Sequence, residues 1–237
     1  MNTKVLENIL KDANIKLSSN QISDIKVYIN ELKIWNKKCN LTSFKKDEDI
    51  FINLFIDSFT LIPYVKLQCR LLDVGTGAGF PGLALKICFE NLNLDLLDSS
   101  KKKCAFLNHM KNLLMLKDTN IFWGRAEDFG RKPDFREKYD IVCSRAVAKM
   151  NELVELGMPF VKINGVFLAL KGKDEQEIKE SKKVVELLGG NIEKIEKIKL
   201  PFFKEIRHIV VIRKKRLTHM EYPRRDGIPK KHPLSRE

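Results

Sequence analysis

Between Arg70 and Ile87 the chain reads RLLDVGTGAGFPGLALKI, an apolar run that ends in glycines at alternate positions, Gly75, Gly77 and Gly79. Glycine accepts positive φ and carries no side chain, so a ligand can lie against bare backbone there. Pro81 suits the first turn of a helix, whose free N–H groups and partial positive charge attract an anion. That anion could be a pyrophosphate or the carboxylate of an amino-acid-derived cofactor. Register separates the two. In a dinucleotide fingerprint the first glycine closes the strand and the third allows tight helix packing. Here the strand closes at Gly75, and counting from it puts Phe80 in the third place, where a large side chain would obstruct that packing.

Further along lie two acids that suit a nucleoside. Asp98 ends a second apolar run about 20 residues beyond the glycines, where a carboxylate accepts hydrogen bonds from ribose hydroxyls. Glu127, in GRAEDFG, stands near where an adenine amine could be read, although acids also favour the first turn of any short helix. Arg145 follows YDIVCS; its guanidinium could organise the pocket or donate to a guanine edge, and a salt bridge would use it equally well. Cys143 occupies a strand end that tempts a nucleophile reading, but a free cysteine is more often a small buried apolar residue.

These residues need a scaffold that delivers them to one edge. RLLDVG, LDLLDS, TNIFWG, YDIVCSR and GVFLALKG read as strands, and GLALKICF, KKCAFLNHMKNLL, NELVELGMPFV and DEQEIKESKKVVELLG as the helices between them. Strand and helix in alternation imply a parallel sheet covered on both faces. NIEKIEKIKL and RHIVVIRKK, joined only by PFFKE, should close it as an antiparallel hairpin at one edge. Before the first strand, Ile22, Ile25, Ile29, Leu32 and Trp35 share one helical face, and Ser18 with Gln21 forms a capping box at its start. The expected organisation is a helical cap over residues 1–66, a Rossmann-like core over 67–216, and a basic, irregular, partly mobile tail over 217–237.

Composition narrows the class. The 237 residues carry 44 basic and 31 acidic side chains, a net charge of +13. The last 37 residues hold 11 bases against 4 acids, more than half of that excess, which favours a polyanionic partner. Five cysteines without a C-x-x-C pair and four scattered histidines suggest neither disulfides nor a metal site. The N-terminus lacks a signal peptide's apolar core and no run is long enough to span a bilayer, so a cytoplasmic protein with no membrane partner is expected.

The strand order, the two acids and the closing hairpin together resemble a class I S-adenosylmethionine-dependent methyltransferase. The place after the fourth strand, CSRAVAKM, lacks the Asp/Asn-Pro-Pro-aromatic motif of amine methylases and the Pro-Cys context of pyrimidine C5 methylases. Guanine N7, which needs no deprotonation, remains as acceptor. WNKKCNLTS, LLDVGTGAGFPG, LLDSSKKKCAFL, GRAEDFG, SRAVA, ALKG and YPRRDGIPKKHPL narrow this further. They resemble the bacterial 16S ribosomal RNA guanine-N7 methyltransferase G family, also called glucose-inhibited division protein B.

That resemblance implies S-adenosylmethionine contacts at Gly75, Gly77, Gly79, Phe80, Ala126, Glu127 and Arg145, with Asp98 near the ribose. It implies a guanine near the decoding region of small-subunit rRNA as target; Arg145, from its place after the fourth strand, is the candidate catalytic residue. Arg224, Arg225, Lys230 and Lys231 are the expected RNA contacts, and Asp226 among them departs from the pattern. A monomer without metal is expected. Two other classes stay open: a noncatalytic RNA-binding or assembly factor on this fold, and a nicotinamide-dependent oxidoreductase.

Overall fold

The computed structural model describes residues 2–66, 68–145, 148–172, 175–199, 202, 206–225 and 227–235. Its centre is a seven-stranded sheet: β1 (Arg70–Val74), β2 (Asn93–Asp98), β3 (Thr119–Trp123), β4 (Tyr139–Ser144), β5 (Val161–Lys171), β6 (Gly190–Ile198) and β7 (Arg207–Lys214). The order is β3-β2-β1-β4-β5-β7-β6. β1 to β5 run parallel, and β7 pairs antiparallel with both β5 and β6. The expected hairpin therefore does close one edge; most of its PFFKE connection lies outside the described residues.

Both faces of the sheet are covered, and the period of two along each strand sorts side chains between them. Leu71, Leu94, Leu96, Ile141, Cys143, Leu168 and Val211 enter one core. Leu72, Val74, Leu97, Val142, Phe167, Val210 and Ile212 enter the other. Cys143 is thus fully buried, and burial pushes its thiol far above its ordinary range, which suits packing rather than attack.

The first core is shared with the cap: α1 (Thr3–Asp12), α2 (Ser19–Cys39), and a continuous run of α3 (Asp47–Ile50), π-helical Phe51–Ile56 and α4 (Asp57–Phe59). α2 opens with the expected capping box, Gln21 N donating to Ser18 Oγ and Ser18 N to Gln21 Oε1. The Gln21 amide also donates to the carbonyls of Ile87 and Cys88 at the end of α5 (Gly82–Cys88), stitching cap to sheet layer. Around the sheet run α6 (Lys101–Leu113), α7 (Ala126–Phe129), α8 (Met150–Gly157), α9 (Glu175–Glu180) and α10 (Lys182–Leu187). DEQEIKESKKVVELLG forms two helices instead of one. At the break the Ser181 hydroxyl donates back to the Ile178 carbonyl at 2.6 Å, a local bond that competes with the helical ladder.

The tail corrects an expectation. It is irregular, with one short helix α11 (Ile228–Lys231), yet it is packed, and Thr218, Tyr222 and Pro229 are buried. Arg136 donates to the carbonyls of Thr218 and Tyr222 at 2.6 and 2.9 Å, and Arg131 to that of Pro223 at 3.0 Å. Its backbone acceptors are satisfied by the core, so little apolar periodicity was needed to order it. No helix among the described residues is long and apolar enough to cross a membrane.

Candidate active site

The C-terminal ends of β1, β2, β3 and β4 bring the expected residues to one edge. Gly75 and Gly77 have φ of +69° and +62°. A Cβ added at Gly75 would meet nothing within 4 Å, and one at Gly77 only the Gly75 carbonyl at 4.0 Å. This backbone is open, as a ligand cradle requires. Gly79 serves packing instead, since a Cβ there would fall 2.4 Å from the Tyr28 hydroxyl and 2.8 Å from Leu83. Its bareness lets the cap approach, and the Tyr28 hydroxyl donates to the Ala78 carbonyl at 2.6 Å.

Phe80 is turned into the same interface, edge-on to Tyr28 and Phe55 with ring centroids 5.4 and 4.9 Å away. The tight helix-to-strand contact that counting from Gly75 assigned to Phe80 is made two residues later, by Gly82, where a Cβ would meet Leu96 at 2.5 Å and Asp73 Oδ2 at 2.9 Å. Phe80 therefore obstructs nothing.

A second correction concerns the helix N-terminus. The expected free N–H groups of α5 are not offered to a ligand, because Gly82 N donates to Asp73 Oδ2 at 2.8 Å. The Thr76 hydroxyl donates to the same oxygen at 2.7 Å. Asp73 has no exposed surface, and burial, reinforced by the charge of Asp98, pushes its carboxyl up to about 7 in spite of these two donors.

Asp98 closes β2 with 6% of its surface exposed and accepts from Gly77 N at 2.9 Å and Ser100 N at 2.8 Å. The carboxylate and the glycine turn are thus already locked together. Glu127, equally buried, sits in the first turn of α7 with Arg125 Nη1 at 3.5 Å. Ala126 opens that helix, so the segment is the short acidic helix start that the sequence allowed, with Glu127 buried in its first turn.

Arg145 lies just past β4, beside a cavity of about 350 Å³ between cap and sheet. Phe44, Asn53 and Asp57 line it from the cap; Arg145, Lys171 and Arg207 line it from the sheet edge. Arg145 Nε is 3.2 Å from Asp57 Oδ2, and Arg207 Nε is 3.7 Å from Asp57 Oδ1. Burial raises the Asp57 carboxyl while the two guanidinium groups pull it back, and burial lowers Arg145 from its ordinary value. Asp57, Arg207 and Tyr28 were not singled out in the sequence; the one acid inside FINLFIDSF was the available signal for the first.

The basic residues of the tail divide. Arg224 donates through Nε and Nη2 to the two oxygens of Glu155 at 2.9 and 2.7 Å, and Glu155 has no exposed surface. Its guanidinium anchors the tail to α8 and is not available as the expected RNA contact. Arg225, Lys230 and Lys231 are exposed at the surface. The two lysines join Lys149 along a groove of about 490 Å³. Asp226 and the Ala146 and Val147 of SRAVA lie outside the described residues. Among the described residues no three His, Cys, Asp or Glu side chains gather as a metal ion would require.

Comparison with known proteins agrees with this geometry. The crystal structure of an S-adenosylmethionine-dependent methyltransferase from Aquifex aeolicus superposes with a TM-score of 0.52 at 17% identity, covering 69% of this chain and 92% of that one. M. jannaschii TYW2 in complex with AdoMet gives 0.52 at 16% identity, covering 67% and 74%. At these identities the likeness is one of fold. In sequence, the "Ribosomal RNA small subunit methyltransferase G" of Acetivibrio thermocellus is 46% identical over 93% of this chain and 92% of its own length. That of Bacillus cereus is 41% identical over the whole of both chains. Residues 21–210 match the family described as rRNA small subunit methyltransferase G. With the sheet order, the open glycine turn and this full-length similarity in agreement, the chain belongs to the rRNA small subunit methyltransferase G family.

Proposed function

We propose that the chain transfers the methyl group of S-adenosylmethionine to N7 of one guanine in the 16S rRNA of the small ribosomal subunit. The observation that carries this is the open backbone at Gly75 and Gly77, ringed by the buried acids Asp98 and Glu127, on the same edge as the Arg145 cavity. The cradle fits the cofactor: room where a Cβ would stand, a carboxylate at ribose position, and a second acid one strand further along. Gly75, Gly77, the Phe80 backbone, Asp98, Ala126 and Glu127 would hold it.

When bound, the cofactor supplies an electrophilic methyl group on a sulfonium centre. Guanine N7 presents a lone pair in the neutral base, so no side chain has to remove a proton beforehand, and the fully buried Cys143 is not required as a nucleophile. What the chain contributes is orientation and exclusion of water. Arg145 would fix the acceptor, with the cap forming the opposite wall of its cavity. Lys149, Arg225, Lys230 and Lys231 supply the charge that attracts the RNA backbone. The five cysteines are free thiols, which accords with action in a reducing cytoplasm.

The deciding experiment is transfer of radiolabelled methyl from S-adenosylmethionine to small subunits and to deproteinised rRNA, followed by N7-specific cleavage mapping. One labelled guanine is expected. Absence of label on both substrates despite cofactor binding would overturn the proposal and leave a noncatalytic RNA-binding protein on this fold.

A further inference from the structure

The cavity between cap and sheet contains polar atoms without hydrogen bonds. Asp57 is 4% exposed, and its Oδ1 accepts no hydrogen bond among the described residues, with Arg207 Nε an ion-pair distance of 3.7 Å away; Arg145 Nη1, also buried, donates none. A charged group withdrawn from water and left with unused hydrogen-bonding capacity destabilises the fold unless something completes it. Two such atoms on facing side chains of one cavity mark a place for a ligand with both donors and an acceptor. Phe44, half-buried, adds an apolar wall.

Guanine alone among the RNA bases presents two adjacent donors, N1–H and N2–H, beside the acceptor O6. A carboxylate accepts the two donors together, and a guanidinium next to it donates to O6. Adenine would set its N1 lone pair against the carboxylate, and the pyrimidines lack the paired donors. Resting on the function proposed above, we propose that Asp57 and Arg145 are specificity-determining residues that read the Watson–Crick edge of the target guanine, with Phe44 stacking on its ring. This leaves N7, on the other edge, free for the methyl group. Unpaired bases in RNA are read in this way, splayed out and stacked on an aromatic side chain. The helical cap, through Phe44 and Asp57, then shares the base selectivity with Arg145 of the sheet edge.

The test uses the full chain saturated with S-adenosylhomocysteine, so that nucleotides cannot occupy the cofactor site. Affinities for guanosine, inosine and adenosine 5′-monophosphates are measured by titration. Inosine lacks only the N2 amine, and one hydrogen bond to a charged group should favour guanosine by about tenfold, with adenosine weaker still. Asp57→Asn should erase the guanosine-over-inosine preference while S-adenosylhomocysteine affinity stays close to wild type, whatever stability is lost with the buried ion pair. Equal affinity of the wild type for all three nucleotides, or an undiminished preference in Asp57→Asn, overturns the proposal. Should the variant fold poorly, the wild-type series with inosine decides by itself. Methyl transfer to small subunits by wild-type enzyme is run in parallel. Transfer without nucleotide preference defeats only the reading of the base, whereas no transfer defeats the function on which it rests.

Discussion

Asp73 has a pH signature of its own. Its carboxyl is raised to about 7 in the folded chain by burial, against 3.8 unfolded. Below pH 4 both states hold the proton; as pH rises the unfolded chain releases it first, so stability falls until the folded group also ionises near 7. The slope in that window is about −1.4 kcal/mol per pH unit from this group. Asp73→Asn abolishes it, so the variant should gain on wild type between about pH 4 and pH 7 in urea unfolding; a constant difference would mean Asp73 is ionised throughout. Among the glycines, Gly79→Ala meets the Tyr28 hydroxyl and should lose about 2–4 kcal/mol of stability by the same measurement. Gly77→Val, facing open space, should instead weaken S-adenosylmethionine binding beyond its backbone cost of about 1–2 kcal/mol, as read by calorimetric titration. Glu127→Ala should weaken the cofactor with little change in melting temperature, since its neighbour Arg125 is solvated.

At the scale of elements, the tail shows why net charge is a coarse guide. Counting bases flagged Arg224 beside Lys230 and Lys231, but charge in a sequence carries no record of a buried acid 69 positions away. Arg224→Ala strips the partner from a fully buried Glu155 and should cost about 3–5 kcal/mol in denaturant unfolding, releasing the tail to proteolysis. Lys230→Ala with Lys231→Ala should leave stability within about 0.5 kcal/mol. The same pair should flatten the logarithmic salt dependence of RNA binding by about 1.4, at roughly 0.7 per phosphate contact. An unchanged slope would remove the groove from the RNA path. The strands and the α2 capping box were legible because each is set by residues a few positions apart. The internal capping of α5 by Asp73, the packing role of Gly79 and the cavity around Asp57 arise from side chains meeting across layers, and no local spacing encodes them.

For the whole molecule, the cap, core and tail read from the sequence pattern are joined by packing and hydrogen bonds. The cap shares a hydrophobic core with the sheet, and the tail is gripped by Arg131 and Arg136. Removing residues 217–237 would therefore leave Glu155 without its arginine, so point changes at the exposed lysines separate RNA binding from folding more cleanly than truncation. The Tyr28 hydroxyl on the Ala78 carbonyl has a further consequence for anyone recombining relatives of this enzyme. Because the phenol occupies the space a Cβ at position 79 would need, the two positions form a lock that crosses the apparent module border. Chimeras that exchange residues 1–66 between relatives should express as folded protein only when the tyrosine and the glycine travel as a matched pair.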